Sequence, residues 1–131
     1  PTNGARALLL IQQAGLIKLK NGNSVDASVT DITENPKNLQ FVELEAAQIP
    51  RSIDDVDIAL INTNFAMEAG LNPLKDALFL EPKDSPYANV LVIREGDENR
   101  PEIQKLVKAL QSPEVKKFIE DKYQGAILPS F

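Results

Sequence analysis

The sequence contains no cysteine and no histidine. Without thiols there is no disulfide framework, no thiol nucleophile and no thiolate metal site, and cysteine usage says nothing about redox compartment. Without imidazole there is no Ser–His pair and no histidine general base, so catalysis would have to run on carboxylates, lysine or tyrosine alone. These absences favour a binding protein over an enzyme and imply no cofactor. Basic charge is also short, with 14 Lys and Arg against 19 Asp and Glu and a net charge of −5. Phosphate backbones call for the opposite balance, and no basic cluster interleaves with aromatics, which argues against a nucleic-acid partner. Long apolar runs are missing too: the one beginning at Ala88 is broken at once by Asn89, far from the roughly 20 residues a membrane-spanning helix needs. No initiator Met and no signal peptide precede Pro1, so the chain reads as the later part of a longer molecule.

What is present, 43% apolar and 25% charged residues over 131 positions, is ordinary for one globular domain. Residues 4–14 read as a helix, with Asn3 as its cap and Gly15 as its stop. Residues 16–19 and 27–32 read as strands on either side of the turn Asn21-Gly22-Asn23-Ser24, and residues 34–38 as another turn. Residues 41–44 alternate as a strand, 46–54 suggest a short helix interrupted by Pro50, and the apolar run 58–61 suggests a buried strand ending at Asn62. A helical turn over 64–69 stopped by Gly70, a brief strand at 77–80, a turn at Ser85-Pro86 and a strand at 87–94 follow. Residues 100–110 and 113–123 form two amphipathic helices, the second capped by Ser112 with Pro113 in its first turn. Strands alternating with helices predict an α/β fold with a mainly parallel sheet.

In open α/β sheets, ligands bind beyond the carboxyl ends of strands. Three polar residues fall at such places: Arg6 at the opening helix, Asn62 after the run 58–61, and Asn89 within Tyr87-Ala88-Asn89-Val90-Leu91. Backbone N–H groups at a helix start attract anions, and a guanidinium there can grip a carboxylate with two parallel bonds. An Asn inside an apolar strand must find partners for its amide or cost on the order of 1–3 kcal/mol. A ligand carrying both carboxylate and ammonium would supply them.

The stretches PTNGARALLLIQQAGLIKLK, ENPKNLQFVELEAAQIPRSIDDVDIALINTNFAMEAGL and DSPYANVLVIRE closely resemble the methionine-binding lipoproteins of NlpA type that serve bacterial ABC importers, and the likeness runs over essentially the whole chain. The resemblance implies a two-lobed, periplasmic-binding-protein-like (type II) fold with the ligand between the lobes. It implies L-methionine, or a close amino-acid relative, as ligand and the membrane permease and ATPase of a methionine importer as partners. It also implies a cell-envelope location, lipid-anchored through a Cys upstream of these residues. By match to the family's motifs, Arg6 would bind the ligand carboxylate, and Asn62 of INT and Asn89 of SPY-x-N would complete the polar contacts. Residues 1–84 would then build the second lobe, and 85–131 would form a crossover strand and helices returning to the first. The lipidated Cys, most of the first lobe and the aromatics around the thioether lie outside the sequence, and Gly4-Ala5 ahead of the Arg differs from the family in detail.

Structural roles compete at each position. Arg6 opposes the helix dipole, and a purely structural Arg would need an acid nearby such as Glu34 or Asp31. Asn62 could simply cap the following helix, and Asn64 could be cap or ligand neighbour. Phe65 and Tyr87 flank the two Asn positions and could line the cleft or belong to the core. The acidic runs 54–57 and 95–98 lack the spacing of a calcium loop and read as solvated turn or helix-end charges, while Lys83-Asp84-Ser85 reads as a surface loop. A binding protein for another small amino acid or a dipeptide, or the effector-sensing domain of a regulator, would share this architecture. An incomplete sheet would also expose edges and apolar faces that invite self-association.

Overall fold

The structure, a computed structural model, describes residues 2–22, 24–82 and 87–131. The chain divides into two compact units, Pro1–Glu81 and Pro82–Phe131. The boundary expected between 84 and 85, the turn at Ser85-Pro86 and the loop at Lys83-Asp84-Ser85 lie outside the described residues, as does Asn23 of the first turn.

The first unit is organised by helix α1, Thr2–Gln13. Ala5, Leu8 and Ile11 recur every three residues on one face and are buried with Ile17, Leu19 and Ala27. Leu9, Leu16, Ile32, Leu39, Phe41 and Leu60 pack around this cluster. The helix begins earlier than the sequence suggests, so Asn3 lies inside its first turn rather than at the cap. Its end is as expected. Gly15 sits at φ 76°, its N–H bonds the Gln12 carbonyl at 2.9 Å and the Leu16 N–H bonds the Ile11 carbonyl at 3.1 Å. That pair of reversed bonds closes a helix with a left-handed residue, which glycine adopts without a Cβ penalty.

After this stop, β1 (Lys18–Leu19) pairs antiparallel with β2 (Ile32–Glu34), Lys18 opposite Glu34 and Leu19 opposite Ile32. The strand expected over 27–32 is displaced: residues Val29–Asp31 form a 3₁₀ turn and pairing starts only at Ile32. Asp31 explains the displacement, because its Oδ2 accepts from the Ser28 N–H at 2.9 Å and the Ser28 hydroxyl at 2.8 Å, a local closure that competes with extended backbone. The short helix expected over 46–54 is a 3₁₀ segment, Ile49–Asp55, with Pro50 in its first turn, where a missing N–H costs nothing. Two short helices follow, α2 (Thr63–Glu68) and α3 (Pro73–Asp76). Gly70, at φ 81°, ends α2 by the device used at Gly15, with the Leu71 N–H reaching the Ala66 carbonyl at 2.9 Å. The Asn72 side chain caps α3 by accepting from the Leu74 N–H at 3.0 Å.

The ladder differs from the mainly parallel sheet expected. Among the described residues the only pairing is the antiparallel β1–β2 ribbon. The segments 41–44, 58–61, 77–80 and 87–94 run outside any ladder, and Val42, Leu78 and Val90 within them stand exposed. Apolar alternation marks a stretch suited to a sheet, whereas a strand exists only where a second backbone accepts its hydrogen bonds.

In the second unit the two expected amphipathic helices form as α4, Pro101–Leu110, and α5, Pro113–Tyr123. Ser112 caps α5 by accepting from the Val115 N–H at 3.3 Å, with Pro113 in the first turn. Ile103, Val107, Val115 and Ile119 are half-buried. Leu106, Leu110 and Phe118 are exposed. No helix among the described residues is long and apolar enough to cross a membrane.

Candidate functional site

Asn3 and Arg6 stand three residues apart in the first turns of α1, a spacing that makes them neighbours on one helix face. Each is met by a side chain from far along the first unit. Asn62 Nδ2 donates to Asn3 Oδ1 at 3.4 Å. Arg6 Nε donates to Glu81 Oε1 at 3.1 Å and to Oε2 at 2.9 Å, and Arg6 Nη2 also donates to Oε2. The outcome is a polar strip, Asn62, Asn3, Arg6 and Glu81, along the start of the helix whose opposite face holds the core.

Glu81 is the acid that a cation at a helix start calls for. It is neither of the two acids expected from the sequence. Glu34 is engaged across the ladder, its Oε1 accepting from Lys18 Nζ at 2.7 Å. Asp31 is engaged in its own turn, where first the backbone N–H and then the hydroxyl of Ser28 hold its carboxyl below the usual carboxylate range, with Lys20 adding a smaller pull. The Arg6–Glu81 pair is partly buried, with side-chain exposures of 35% and 22%. Water therefore screens it only in part. A Cβ at Gly4, in the same helical turn, would stand in ordinary contact with Glu43 Oε1 at 3.6 Å.

Asn62 occupies the N-cap position of α2 with extended backbone, φ −62° and ψ 138°, yet its side chain makes no cap bond. Its carbonyl accepts from the Ala66 N–H at 3.0 Å, while its amide turns to Asn3. Asn62 thus stands at the cap position, its carbonyl taking the first intrahelical bond, without the side-chain cap weighed for it. Asn64 lies within α2 and is exposed, so it is not a cap, and Phe65 beside it is half-buried.

Asn62 therefore bonds Asn3, which lies three residues before Arg6 on α1 in the first unit. Asn89 and Tyr87 belong to the second unit. Tyr87 is half-buried. Asn89 is exposed between exposed Ala88 and Val90, so the desolvation cost expected of an Asn buried in a strand does not arise. Two hollows are lined by other residues. One, of about 390 Å³, is lined by Gln12, Ile17 and Lys18 among others, and the other, of about 380 Å³, by Lys116, Glu120 and Leu128 among others. The acidic run at 95–98 is a turn, as expected. Glu98 Oε1 accepts from the Gly96 N–H at 3.2 Å, and its carboxyl is lowered by its own N–H and then by that of Gly96. Among the described residues no group of three acidic side chains is placed to hold a metal ion.

Sequence reasoning missed Asn3 and Glu81. Asn3 carried the signal of a cap, which is also that of a helix-face amide. The need for an acid was legible at Arg6, but nothing in the sequence selects one 75 positions away.

The chain superposes over its full length on the nutrient binding protein from Burkholderia cenocepacia bound to methionine, with a TM-score of 0.89 at 53% identity, covering 56% of that chain. It matches an ABC transporter periplasmic substrate-binding protein from Coxiella burnetii with a TM-score of 0.89 at 49% identity over 99% of this chain and 55% of the other. The architecture is thus that of the periplasmic-binding-protein-like α/β class, as expected. A family model, the NlpA lipoprotein, matches residues 1–131, and the chain belongs to that family. Among curated relatives, the D-methionine-binding lipoprotein MetQ of Salmonella typhi is 56% identical over 117 residues, 88% of this chain and 43% of its own length. The chain spans about half the length of the relatives it matches.

Proposed function

We propose that the chain contributes the head-group grip of a substrate-binding protein that captures methionine, or a close amino-acid relative, for a bacterial ABC importer. The observation that carries the reading is that Asn62, standing where it would cap α2, turns its amide instead to Asn3, one helical turn before Arg6. A carboxylate approaching the start of α1 meets a guanidinium, side-chain amides and the positive end of the helix together. The Burkholderia cenocepacia neighbour bound to methionine and the Salmonella typhi relative's name support the choice of ligand. Asn89 is assigned to the same ligand on the family resemblance alone, and Phe65, Tyr87 and Asn64 are secondary candidates beside these residues.

In this reading the first unit is the second lobe, and the second unit carries the chain back to the first. Capture is coupled to lobe closure, ligand contacts favouring the closed state through their differential affinity. The head group is held by charge and amides, while selection of the side chain falls to pocket shape and sulfur–aromatic contacts. The protein works without chemistry of its own, at the cell envelope, lipid-anchored through an upstream Cys, and hands its ligand to a membrane permease and ATPase.

The test is calorimetry with L- and D-methionine on the full-length protein. Arg6→Ala is expected to weaken binding by about 2–5 kcal/mol, because a desolvated carboxylate loses its charge partner. An affinity within about threefold of the parent, under 1 kcal/mol, removes Arg6 from the site. Mass spectrometry of protein denatured directly after purification identifies the ligand it carries, and a dipeptide or a different amino acid there redirects the assignment.

A further inference from the structure

We infer that Glu81 is the partner of the ligand's ammonium group, so that Arg6 and Glu81 act as one zwitterion-recognition pair, guanidinium for carboxylate and carboxylate for ammonium. The inference rests on the reading above, in which Arg6 holds the ligand carboxylate. An α-amino acid carries its two charges on groups attached to one carbon, so the partners for those charges must stand side by side. Arg6 and Glu81 do so, with Nε within 3.1 Å of both carboxylate oxygens. A guanidinium has five N–H donors and a carboxylate about four acceptor directions, more than the bonds between these two groups use.

Charge supports the same assignment. The pair is neutral as a unit, and so is an amino acid, so binding adds no uncompensated charge to a partly buried place. A ligand with the carboxylate but no ammonium would bring a bare negative charge against Glu81, and solvent at the observed exposures screens that repulsion incompletely. Glu43, whose carboxylate approaches Gly4 in the same helical turn, is itself exposed and adds to the disfavour of a bare anion. Glu81 thereby decides between amino acids and simple carboxylic acids, a selection that Arg6 and Asn62 alone do not make.

The experiment measures calorimetric affinities of the full-length protein for methionine and for 4-(methylthio)butanoate, the same molecule without its amino group. The parent is expected to prefer methionine by at least about tenfold. Glu81→Gln is expected to bring the ratio within about threefold, chiefly by weakening methionine. Partial unfolding lowers both affinities alike, so the ratio reads recognition rather than stability. A Glu81→Gln protein that keeps the parent's ratio overturns the inference and leaves Glu81 as a structural counter-ion for the helix start. Where Glu81→Gln does not fold, Glu81→Asp serves: drawing the carboxylate back by one methylene is expected to cut the ratio by at least about threefold, and an unchanged ratio overturns the inference equally. If Arg6→Ala binds methionine as the parent does, it is the underlying reading that fails, whatever Glu81 does.

Discussion

Asn62 stands at the start of α2 and gives its amide to Asn3 on α1, Nδ2 to Oδ1 at 3.4 Å, making no side-chain cap bond to its own helix. Loss of that side chain should therefore behave unlike loss of a true cap. Asn62→Ala is expected to change stability by no more than about 0.5 kcal/mol, within the range of surface substitutions. Ser112→Ala, which removes an actual cap bond to the Val115 N–H at 3.3 Å, should cost about 1 kcal/mol. Urea melts of both variants make the comparison. Calorimetry should show Asn62→Ala weakening methionine roughly tenfold, the worth of one hydrogen bond to a charged group. A variant that loses stability while keeping its affinity would return Asn62 to a structural role.

Gly15 ends α1 at φ 76°, and a Cβ placed there would meet nothing within 4 Å. The cost of Gly15→Ala is thus conformational alone, about 1–2 kcal/mol for a left-handed alanine. Gly15→Asn should cost less, because asparagine tolerates that region. Equal destabilisation by both would point to a packing constraint that the structure does not contain.

The helices were largely legible because their signals are local. Gly15, Gly70 and the pair Ser112-Pro113 lie within a few residues of the bonds they direct, and each ends or starts a helix where the sequence says it should. Strands were less so. The run 58–61 has the composition of a buried strand, but pairing is a property of two backbones, and the sequence of one segment does not name the other. The site divides in the same way. Arg6 and Asn62 could be singled out by position and chemical type, whereas Glu81 acquires its meaning only when folding brings it across 75 residues to Arg6.

Leu8, 4% exposed at the centre of the α1 face, and Leu106, 43% exposed on α4, test the two units differently. Leu8→Ala should cost about 2–5 kcal/mol, the sum of lost burial and the cavity left behind. In the 131-residue chain Leu106→Ala should cost under about 0.5 kcal/mol, as at other exposed sites. If the second unit returns to pack on the first lobe, the same substitution in the full-length protein should cost distinctly more, about 1–3 kcal/mol as apolar area leaves a buried face. Denaturant midpoints in the two lengths of chain provide the measurement. An equal, small cost in both would leave the exposed face of α4 without a lobe to cover it.

Asp31 carries the clearest pH dependence. Its carboxyl is lowered from 3.8 by the Ser28 backbone N–H, then by the Ser28 hydroxyl, with desolvation opposing them and Lys20 contributing least. A carboxylate whose folded pKa lies below its unfolded value contributes stability that is complete above the unfolded pKa and is lost as pH falls through the folded one. The turn should therefore hold above about pH 4 and loosen in stronger acid. An NMR titration of the Asp31 side-chain carboxyl should give a midpoint below 3.8 in the parent. Ser28→Ala deletes only the hydroxyl bond and leaves the stronger backbone donor, so the midpoint should rise without reaching that value. Added salt should raise it slightly further by screening Lys20. A parent midpoint at or above 3.8 would mean that the Ser28–Asp31 closure, and with it the cause assigned to the late start of β2, does not form in solution.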